Sequence, residues 1–227
     1  MKLSEKINEY LKGGSKGVFE LIKGNLKKAD LTFAELKNAD LRETDLSEAH
    51  LNFVNLSGAN LSKANLSHAD LSNAMLIEAN LIGADLRNAN LGEAVLDNAI
   101  LIDANLRGAD LIYADMGGVD LTGVDLKGVD LSGTALNGAI LCRADLSKVD
   151  LNLAGLDYAD LSGANLSGAN LSGANLSNAN LSGANLCNAN LSGAILYEAN
   201  LSKANLTNTD LTNADLTGAD LTDIQKQ

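Results

Sequence analysis

The stretch that decides the fold is residues 161–185, which read LSGANLSGANLSGANLSNANLSGAN. Leucine occupies every fifth position here, and the same spacing runs from Leu21 to Leu221 with Met116 as the single exception. A small residue, usually alanine, stands two positions before each leucine, and an aspartate or asparagine usually separates the two. A unit of five residues, repeated without insertion or deletion, therefore organises most of the chain.

A period of five matches neither regular secondary structure. On an α-helix, five residues turn the chain about 140° beyond a full circle, so the leucines would spread around the whole circumference. On a flat strand, successive leucines would point to opposite faces. Within one unit, however, the alanine and the leucine are two residues apart and point to the same side of a short extended segment. Turns of one hand after each unit would wind an all-β solenoid, a β-helix filled with leucine and alanine.

The exceptions to the repeat indicate how many units form one coil. When the sequence is written in rows of twenty, the residues before a leucine that are not polar fall in two of four columns: Met75, Val95, Ile100, Ala135, Ile140, Gly155 and Ile195. Outward apolar residues recur on chosen sides of a solenoid only if the coil has a fixed length, so we expect four units per coil and about ten coils. With coils spaced like neighbouring strands, the rod would be about 50 Å long.

One coil departs from the repeat in its interior. Larger or less regular side chains replace leucine and alanine at Met116, Val119, Val124 and Val129. Because protein interiors are closely packed, the extra volume should widen this coil or shift its neighbours.

The units Ala39–Glu43 (ADLRE) and Ala164–Gly168 (ANLSG) resemble the A(D/N)LXX signature of the pentapeptide-repeat family. The resemblance covers about nine-tenths of the chain. It implies a right-handed, quadrilateral parallel β-helix with four units per coil, stacked through backbone hydrogen bonds between coils. Many members of the family are inferred to act as interaction scaffolds.

Composition limits the partners. The chain has 227 residues and a net charge of −12, so direct binding to nucleic acid or to an anionic membrane is not expected. The excess of aspartate is spread along the chain and is expected mainly to promote solubility. Cys142 and Cys187 lack a metal-like spacing, so we expect free thiols in a reducing compartment. With neither a signal-peptide pattern nor an 18-residue apolar span, a cytoplasmic location is the expectation.

The two ends of the chain are expected to differ. Apolar residues at helical spacing precede a glycine pair, so residues 1–16 should form a helical cap on a β-helix of residues 17–227. The apolar residues of this cap are Leu3, Ile7, Tyr10 and Leu11. Too few residues follow Leu221 for a similar cap, and an uncovered coil exposes unpaired backbone groups. We therefore predict a homodimer that pairs through the C-terminal coil.

Outward-facing apolar residues are the most informative departure from the repeat, because a wholly polar exterior would satisfy the fold. We expect nine of them to lie within a few coils on two adjacent sides: Met75, Ile77, Ile82, Val95, Ile100, Ile102, Ile112, Tyr113 and Ile140. A contiguous apolar patch on a soluble protein usually marks a partner surface, whereas the alternative is side chains that merely stack between coils. The prediction is a protein–protein interaction or scaffold module that binds an unidentified protein partner.

Other functions are weighed against this one. Some pentapeptide-repeat proteins protect DNA gyrase by presenting an acidic rod that mimics DNA, and this role is the alternative prediction. Against it, residues 161–206 are dominated by asparagine instead of aspartate, and no loop interrupts the register. One cluster on an exposed face could hold a divalent metal, although ordinary hydrogen bonding is the favoured interpretation there. It consists of Glu48, His50, His68 and Asp70. Without a nucleophile–base arrangement or a phosphate loop, we expect no catalytic residues and no cofactor.

Overall fold

The computed structural model describes residues 23–126 and 129–226. Within these ranges the backbone forms no helix and no strand longer than one residue, and single residues instead pair in parallel bridges. Each bridge joins residues twenty apart, from Asn25 and Asp45 to Asn205 and Gln225. The chain is therefore a β-helical solenoid with four five-residue units in each coil. The expected helical cap lies outside the described residues, and no helix of the described part could cross a membrane.

The twenty-residue register assigns every unit to one of four sides. We call them sides A, B, C and D, centred in the first described coil on Leu26, Leu31, Leu36 and Leu41 and recurring every twenty residues. Each unit contributes three outward positions. The bridging position precedes the leucine, the flanking position follows it, and the corner position comes next and leads to the following side.

Backbone hydrogen bonds tie each unit to the coils before and after it. Leu61 N–H donates to the carbonyl oxygen of Asn80 at 2.7 Å, and Asn80 N–H donates back to that of Ala59 at 2.9 Å. Ala64 N–H closes a turn onto the carbonyl oxygen of Leu61 at 2.9 Å. This pattern recurs along most of the chain and satisfies the polar groups that stacking removes from water.

Every turn places its corner residue at positive φ. The corner residues other than glycine have φ between 54° and 61°. The third residue of a type II turn requires this left-handed conformation, and β-branched side chains avoid it. No Val, Ile or Thr occupies a described corner position, whereas Gly and Asn are frequent there. Outward isoleucines are therefore confined to the bridging and flanking positions.

The interior of the rod is a continuous aliphatic column. The leucines at every fifth position from Leu31 to Leu201 are buried, together with Met116 and, from Leu36 onwards, the small residue two positions before each of them. Burial of one leucine side chain contributes about 2 kcal/mol. Because each coil adds four such residues on top of the last, the favourable interactions accumulate coil by coil, as in other solenoids.

The bridging Asp and Asn residues hold the fold together, which corrects the expectation that aspartate serves mainly for solubility. In most units the side-chain oxygen accepts the N–H of the flanking residue, as Asn60 Oδ1 does from Ser62 at 3.1 Å. Asparagines also connect coils, since Asn185 Nδ2 donates to Asn165 Oδ1 at 3.1 Å. A short polar side chain at this position thus caps a backbone donor of the tight turn.

The coil with the larger interior residues is loosened from its neighbours. Leu86 N–H donates to the Asn105 carbonyl oxygen at 2.8 Å, whereas one coil later, in the described part of the chain, Asn105 still bridges to Asp125 but no backbone hydrogen bond of ordinary length joins Leu106 to Asp125. Val119, Val124 and Val129 are buried there in three successive units in place of the usual alanine, which crowds extra methyl groups into one coil. A groove of about 420 Å³ opens at this point, lined by Gly123, Val124, Asp125, Arg143, Ala144 and Asp145.

Candidate protein interface

The nine predicted interface residues lie on three sides instead of two. Side C carries Met75, Ile77 and Val95, and side D carries Ile82, Ile100, Ile102 and Ile140. Ile112 and Tyr113 lie on side B, which corrects the expectation that all nine share two adjacent sides. The register is the reason, because Asp110 bridges to Asp130 and so places their unit in the column of Leu31.

Six of these residues lie in two successive coils, three on side C and three on side D, on either side of the corner between them. We call this set the C/D patch, and its members are Met75, Ile77, Ile82, Val95, Ile100 and Ile102. Met75 bridges directly to Val95 on side C, and Ile102 follows Ile82 by one coil on side D. Ile140 stands apart, because Asp120 lies between it and Ile100 in the bridge column.

Exposure divides the candidate residues into two groups. Met75 is 43% exposed, Ile100 37% and Ile140 39%, while the other residues of the C/D patch are half-buried against the adjacent coils. Tyr113, at the corner that leads to side C, is 69% exposed. Its ring lies over Gly133 of the next coil, where a Cβ atom would come within 2.6 Å of it. Stacking between coils therefore accounts for part of the apolar surface and leaves part of it accessible.

The apolar bridging residues of the patch remove a hydrogen bond that most other units make. On side D, Asn80 Oδ1 accepts the N–H of Ile82 at 3.0 Å. One coil later Ile100 stands in place of the asparagine, and its side chain cannot accept the N–H of Ile102. Met75 and Val95 have the same effect on side C. A lost hydrogen bond of this kind costs about 1 kcal/mol, so these residues are not explained by stability alone.

Acidic side chains surround the C/D patch. Glu78 occupies the corner between sides C and D, and Glu93 and Asp103 occupy the outer corners of the next coil. On side C, the pKa of Asp97 is raised, first by partial burial and then by the negative charge of Asp115 beside it. The raised pKa of Asp97 is a consequence first of its partial burial and then of the crowded negative charge on this side.

A shallow groove of about 310 Å³ continues the patch on side C. It is lined by Lys37, Asn38, Asn55, Ser57, Gly58, Met75, Ile77 and Glu78. The Ser57 hydroxyl is the one buried side-chain N or O atom of the described residues that has no hydrogen-bond partner. At the equivalent position of side A, Ser67 Oγ donates to Asn65 Oδ1 at 2.7 Å. Nothing in the sequence separates Ser57 from the other flanking serines, so this feature is visible only in the structure.

The candidate metal cluster is brought together in pairs. Glu48 and His68 share one corner column, and His50 bridges to Asp70. Hydrogen bonding to Lys28, at 3.1 Å, lowers the pKa of Glu48, and Asp70 Oδ1 caps the flanking N–H of its own unit at 3.1 Å. Over residues 23–126 and 129–226, no three His, Cys, Asp or Glu side chains are grouped so that they could hold a metal ion.

Basic residues gather on a different part of the rod. Beyond residue 50, those that the structure describes lie on side A or at the corner between sides D and A: Lys63, Arg87, Arg107, Arg143, Lys148, Lys203 and Lys226. Arg87 pairs there with Asp85 at 2.6 Å, which lowers the pKa of that aspartate. The separation of the basic residues from the C/D patch can be predicted when the sequence is written in rows of twenty and the columns of the basic residues are compared. The columns of the apolar residues alone do not show it.

Known proteins share this repeat and this fold. A family model for pentapeptide repeats matches eight copies, over residues 25–62, 55–92, 89–128, 125–154, 154–193 and 186–223. Among solved structures, the chain is similar to HetL, a pentapeptide repeat protein involved in heterocyst differentiation regulation from the cyanobacterium Nostoc sp. strain PCC 7120. The identity is 36%, the match covers 99% of this chain and 94% of HetL, and the TM-score is 0.52.

A second solved structure is that of QnrB1, a plasmid-mediated fluoroquinolone resistance protein. It is 20% identical to the chain, the match covers 92% of this chain and 90% of QnrB1, and the TM-score is 0.41. No curated protein matches the chain.

Proposed function

Because the chain belongs to the pentapeptide-repeat family of β-helical solenoids, we propose that it acts by presenting a surface to a partner, without catalysis. The proposed function is a protein–protein interaction or scaffold module in the cytoplasm, whose C/D patch contacts a protein partner. For the rod we propose the right-handed, quadrilateral winding of about ten coils that the family resemblance implies, with residues 1–16 as a helical cap.

The observation that supports this proposal is the placement of apolar residues where the fold uses a capping side chain. Met75, Val95 and Ile100 occupy bridging positions in two successive coils, and each gives up a cap of about 1 kcal/mol. Contiguous apolar surface on a soluble protein usually marks a contact site. HetL is involved in regulation, and a regulatory role of that kind is compatible with a protein that works by binding.

The test is a double substitution in the C/D patch with a matched control. Ile82→Asp with Ile102→Asp places two carboxylates in the patch, and Ser162→Asp with Ser182→Asp places two at the same flanking positions of side D further along the rod. We expect the first pair to abolish capture of the partner in affinity purification with mass spectrometry, and the second pair to preserve it. Circular dichroism should be unchanged in both. Equal capture by the two variants would sink the proposal.

Self-association through the C-terminal coil is a separate proposal. The inward-facing residues Leu211 and Leu216 are only partly buried, and Leu221 is 36% exposed. Pairing of two such coils would bury these leucines and extend the backbone hydrogen bonding. Sedimentation velocity should show a dimer that Leu221→Asp converts to a monomer. A wild-type monomer at high micromolar concentration would exclude this mode.

The DNA-mimic role makes a different prediction. A mimic needs a continuous negative stripe, but no charged residue lies between Leu161 and Tyr197. If the alternative held, the protein would alter gyrase supercoiling in the presence of a fluoroquinolone, and charge removal outside the C/D patch would weaken the effect.

A further inference from the structure

We propose that the loosened coil is a hinge at which the rod bends, opening on side A and staying closed on side C. The loosened coil is the one whose interior carries Val119, Val124 and Val129. Asp125 lies on its side A and Ala135 on its side C. The inference goes beyond the proposed function, because a bend of this kind is a property of the chain itself and requires no partner.

On side C, the loosened coil is firmly joined to both of its neighbours. Met116 N–H donates to the carbonyl oxygen of Ala135 at 2.7 Å, and Leu136 N–H donates to that of Gly155 at 2.6 Å. Ala135 N–H also donates back to the carbonyl oxygen of Ala114 at 3.0 Å. These are the bonds of the regular coils, so side C keeps the ordinary spacing on both faces of the loosened coil.

On side A, neither junction of the loosened coil is joined in this way. Among the residues that the structure describes, no backbone hydrogen bond of ordinary length connects Leu106 with Asp125 or Leu126 with Asp145. One coil further on, the regular pattern returns, because Leu146 N–H donates to the carbonyl oxygen of the next bridging residue at 2.8 Å. The groove of about 420 Å³ opens where these bonds are missing.

The two sides between A and C have intermediate spacing. On side D, Asp120 N–H donates to the carbonyl oxygen of Ala99 at 3.3 Å. At the corner after side B, Tyr113 N–H donates to the carbonyl oxygen of Ser132 at 3.4 Å. Both distances exceed those on side C. A separation that grows from side C through sides B and D to side A describes a wedge, so the rod tilts about side C.

Stacked carboxylates account for the side on which the wedge opens. On side A, Asp125 bridges to Asp145, so two exposed like charges lie in successive coils. Elsewhere on this side each bridging aspartate lies between asparagines, and Asn65 Nδ2 donates to Asp45 Oδ1 at 3.2 Å. A carboxylate cannot donate such a bond, and like charges directly opposite each other destabilise a bridge. On side C the loosened coil carries the uncharged Ala135 at this position.

The interior of the loosened coil has the same asymmetry. Val119, Val124 and Val129 belong to the units of sides D, A and B, whereas Thr134 takes the equivalent place on side C. The Thr134 hydroxyl donates to the carbonyl oxygen of Leu111 in the preceding coil at 3.0 Å. Valine has no group that could form this bond, so the interior ties the coils together on side C alone.

A bend about side C changes the angle between surfaces on the two sides of the hinge. The C/D patch precedes the loosened coil in the chain, while Leu153 and Tyr158, each 67% exposed, flank side C beyond it. The hinge therefore sets how these apolar residues face one another. Because salt screens the repulsion between exposed charges, the bend should relax as the ionic strength rises.

The test measures the bend with pairs of spin labels on side A of the full chain, after both native cysteines are replaced by serine. Arg87→Cys with Ser147→Cys spans the loosened coil, and Ser147→Cys with Thr207→Cys spans the same number of regular coils. By double electron–electron resonance, we expect the first pair to show the longer mean distance and the broader distribution. Sodium chloride at about 1 M should shorten and narrow that distribution alone. Identical distributions for the two pairs would overturn the inference.

Hydrogen exchange tests on which side the hinge opens. Leu126 and Leu136 are equally buried leucines of the same coil, on sides A and C respectively. In the unmodified protein, the amide of Leu126 should exchange about tenfold faster than that of Leu136, whose hydrogen bond is intact. Equal exchange rates would contradict a wedge that opens on one side.

Asp145→Asn tests the cause of the opening. The asparagine oxygen can still accept the N–H of Ser147, which Asp145 Oδ1 now accepts at 3.1 Å, and its amide can donate to Asp125 in the coil before. We expect exchange of the Leu126 amide to slow by about tenfold, and the label pair across the loosened coil to approach the distribution of the regular pair.

Asp160→Asn is the matched control. It removes the same charge from a bridging position of side D, where Ile140 and not an aspartate lies in the coil before. We expect neither the exchange of the Leu126 amide nor the label distribution to change. Equal effects of Asp145→Asn and Asp160→Asn would reduce the bend to net charge and defeat the inference.

Discussion

Residues 161–200 and residues 101–130 share the same leucine spacing but differ in how their coils are joined. In the first segment, Leu181 N–H donates to Asn200 at 2.7 Å and Asn200 N–H donates back to Ala179 at 2.9 Å. In the second, within the part of the chain that the structure describes, Asn105 bridges to Asp125 but no backbone hydrogen bond of ordinary length joins Leu106 to Asp125. The core column is fully buried in both segments, with Met116 in place of one leucine in the second.

The difference separates the roles of three positions in the unit. The leucine sets the path of the chain, because it is buried whether or not the coils are tightly joined. The small residue two positions earlier does not set the separation of the coils by itself, since Val124 lies where hydrogen bonds are lost but Val54 lies where they are intact. The bridging asparagine caps the turn and links coils, and it occupies every bridging position of the well-joined segment except Ile195.

Truncation of a core leucine should show the largest effect. Leu181→Ala and Leu126→Ala each remove a fully buried side chain. We expect Leu181→Ala to cost about 3 kcal/mol and Leu126→Ala about 1 kcal/mol less, because a loosened coil can collapse around the cavity more readily. Chemical denaturation measures both, and equal losses would show that the loosened coil is packed as rigidly as the regular one.

Removal of a bridging asparagine should have the next largest effect. Asn180 Oδ1 accepts Ser182 N–H at 3.2 Å, and Asn180 Nδ2 donates to Asp160 Oδ1 at 3.1 Å. Asn180→Ala breaks both bonds, together with the one that Asn180 Oδ1 accepts from Asn200 Nδ2 at 3.4 Å, and should lower the free energy of unfolding by about 1–2 kcal/mol.

The reverse exchange is the control. Ile140→Asn introduces the same side chain in the same column two coils earlier, where it can cap the N–H of Cys142. We expect no loss of stability, in contrast to the loss in Asn180→Ala. A large loss would mean that Ile140 contributes to packing and is not a surface residue kept for binding.

A smaller effect should depend on pH. The folded-state pKa of Asp97 is raised by partial burial and by Asp115, so the folded protein favours the protonated form. Its contribution to stability is full below the unfolded pKa and is lost as the pH rises through the folded pKa. Asp97→Asn should therefore raise the unfolding temperature slightly at neutral pH and have no advantage at acid pH.

Asp115→Asn checks the cause of that pH dependence. It removes the neighbouring negative charge, so the gain from a subsequent Asp97→Asn substitution should shrink. Residues 161–197 contain no charged side chain and can contribute no such pH dependence. A gain that is the same at all pH values would rule out titration of Asp97 as its origin.

The smallest change in stability is expected for Val124→Ala. The lost apolar burial should be offset by hydrogen bonds that form when the coils approach, so the free energy of unfolding should change by less than about 0.5 kcal/mol. Hydrogen exchange gives the sharper measurement. The amide of Leu106 should exchange about tenfold more slowly in the variant, and unchanged exchange would show that Val124 does not hold the coils apart.

The course of the chain could be predicted because it depends on side chains that repeat. The seven non-polar residues at bridging positions, from Met75 to Ile195, indicated the twenty-residue coil, and the parallel bridges confirm it. The capping role of the bridging residues was missed. The repeat predicts that these polar side chains face outward, but it does not predict which backbone group they bind. The predicted placement of Ile112 and Tyr113 was wrong for a simpler reason. In rows of twenty residues they fall in the column of side B, whereas the other seven candidates fall in the columns of sides C and D.

The groove beside the patch could not have been predicted. Ser57 sits in a unit, VNLSG, that differs little from its neighbours, and its buried hydroxyl depends on the side chains of the adjacent coils. Such a site arises from residues twenty and forty positions apart, which share no local sequence pattern. The acidic residues around the C/D patch could be predicted in part. Glu78, Glu93 and Asp103 are corner residues, and the twenty-residue repeat assigns each of them to a side.

The four-unit coil also determines what a change in repeat number would do. A tandem duplication of twenty residues would lengthen the rod and return every later side chain to its own side. A duplication of five residues would fit the same leucine column, but it would rotate everything after it by a quarter turn. Placed between Ile82 and Ile100, it would move Ile100 from side D to side A and split the C/D patch. Insertions of any multiple of five residues should therefore preserve the fold, but only insertions of a multiple of twenty residues should also preserve the binding surface.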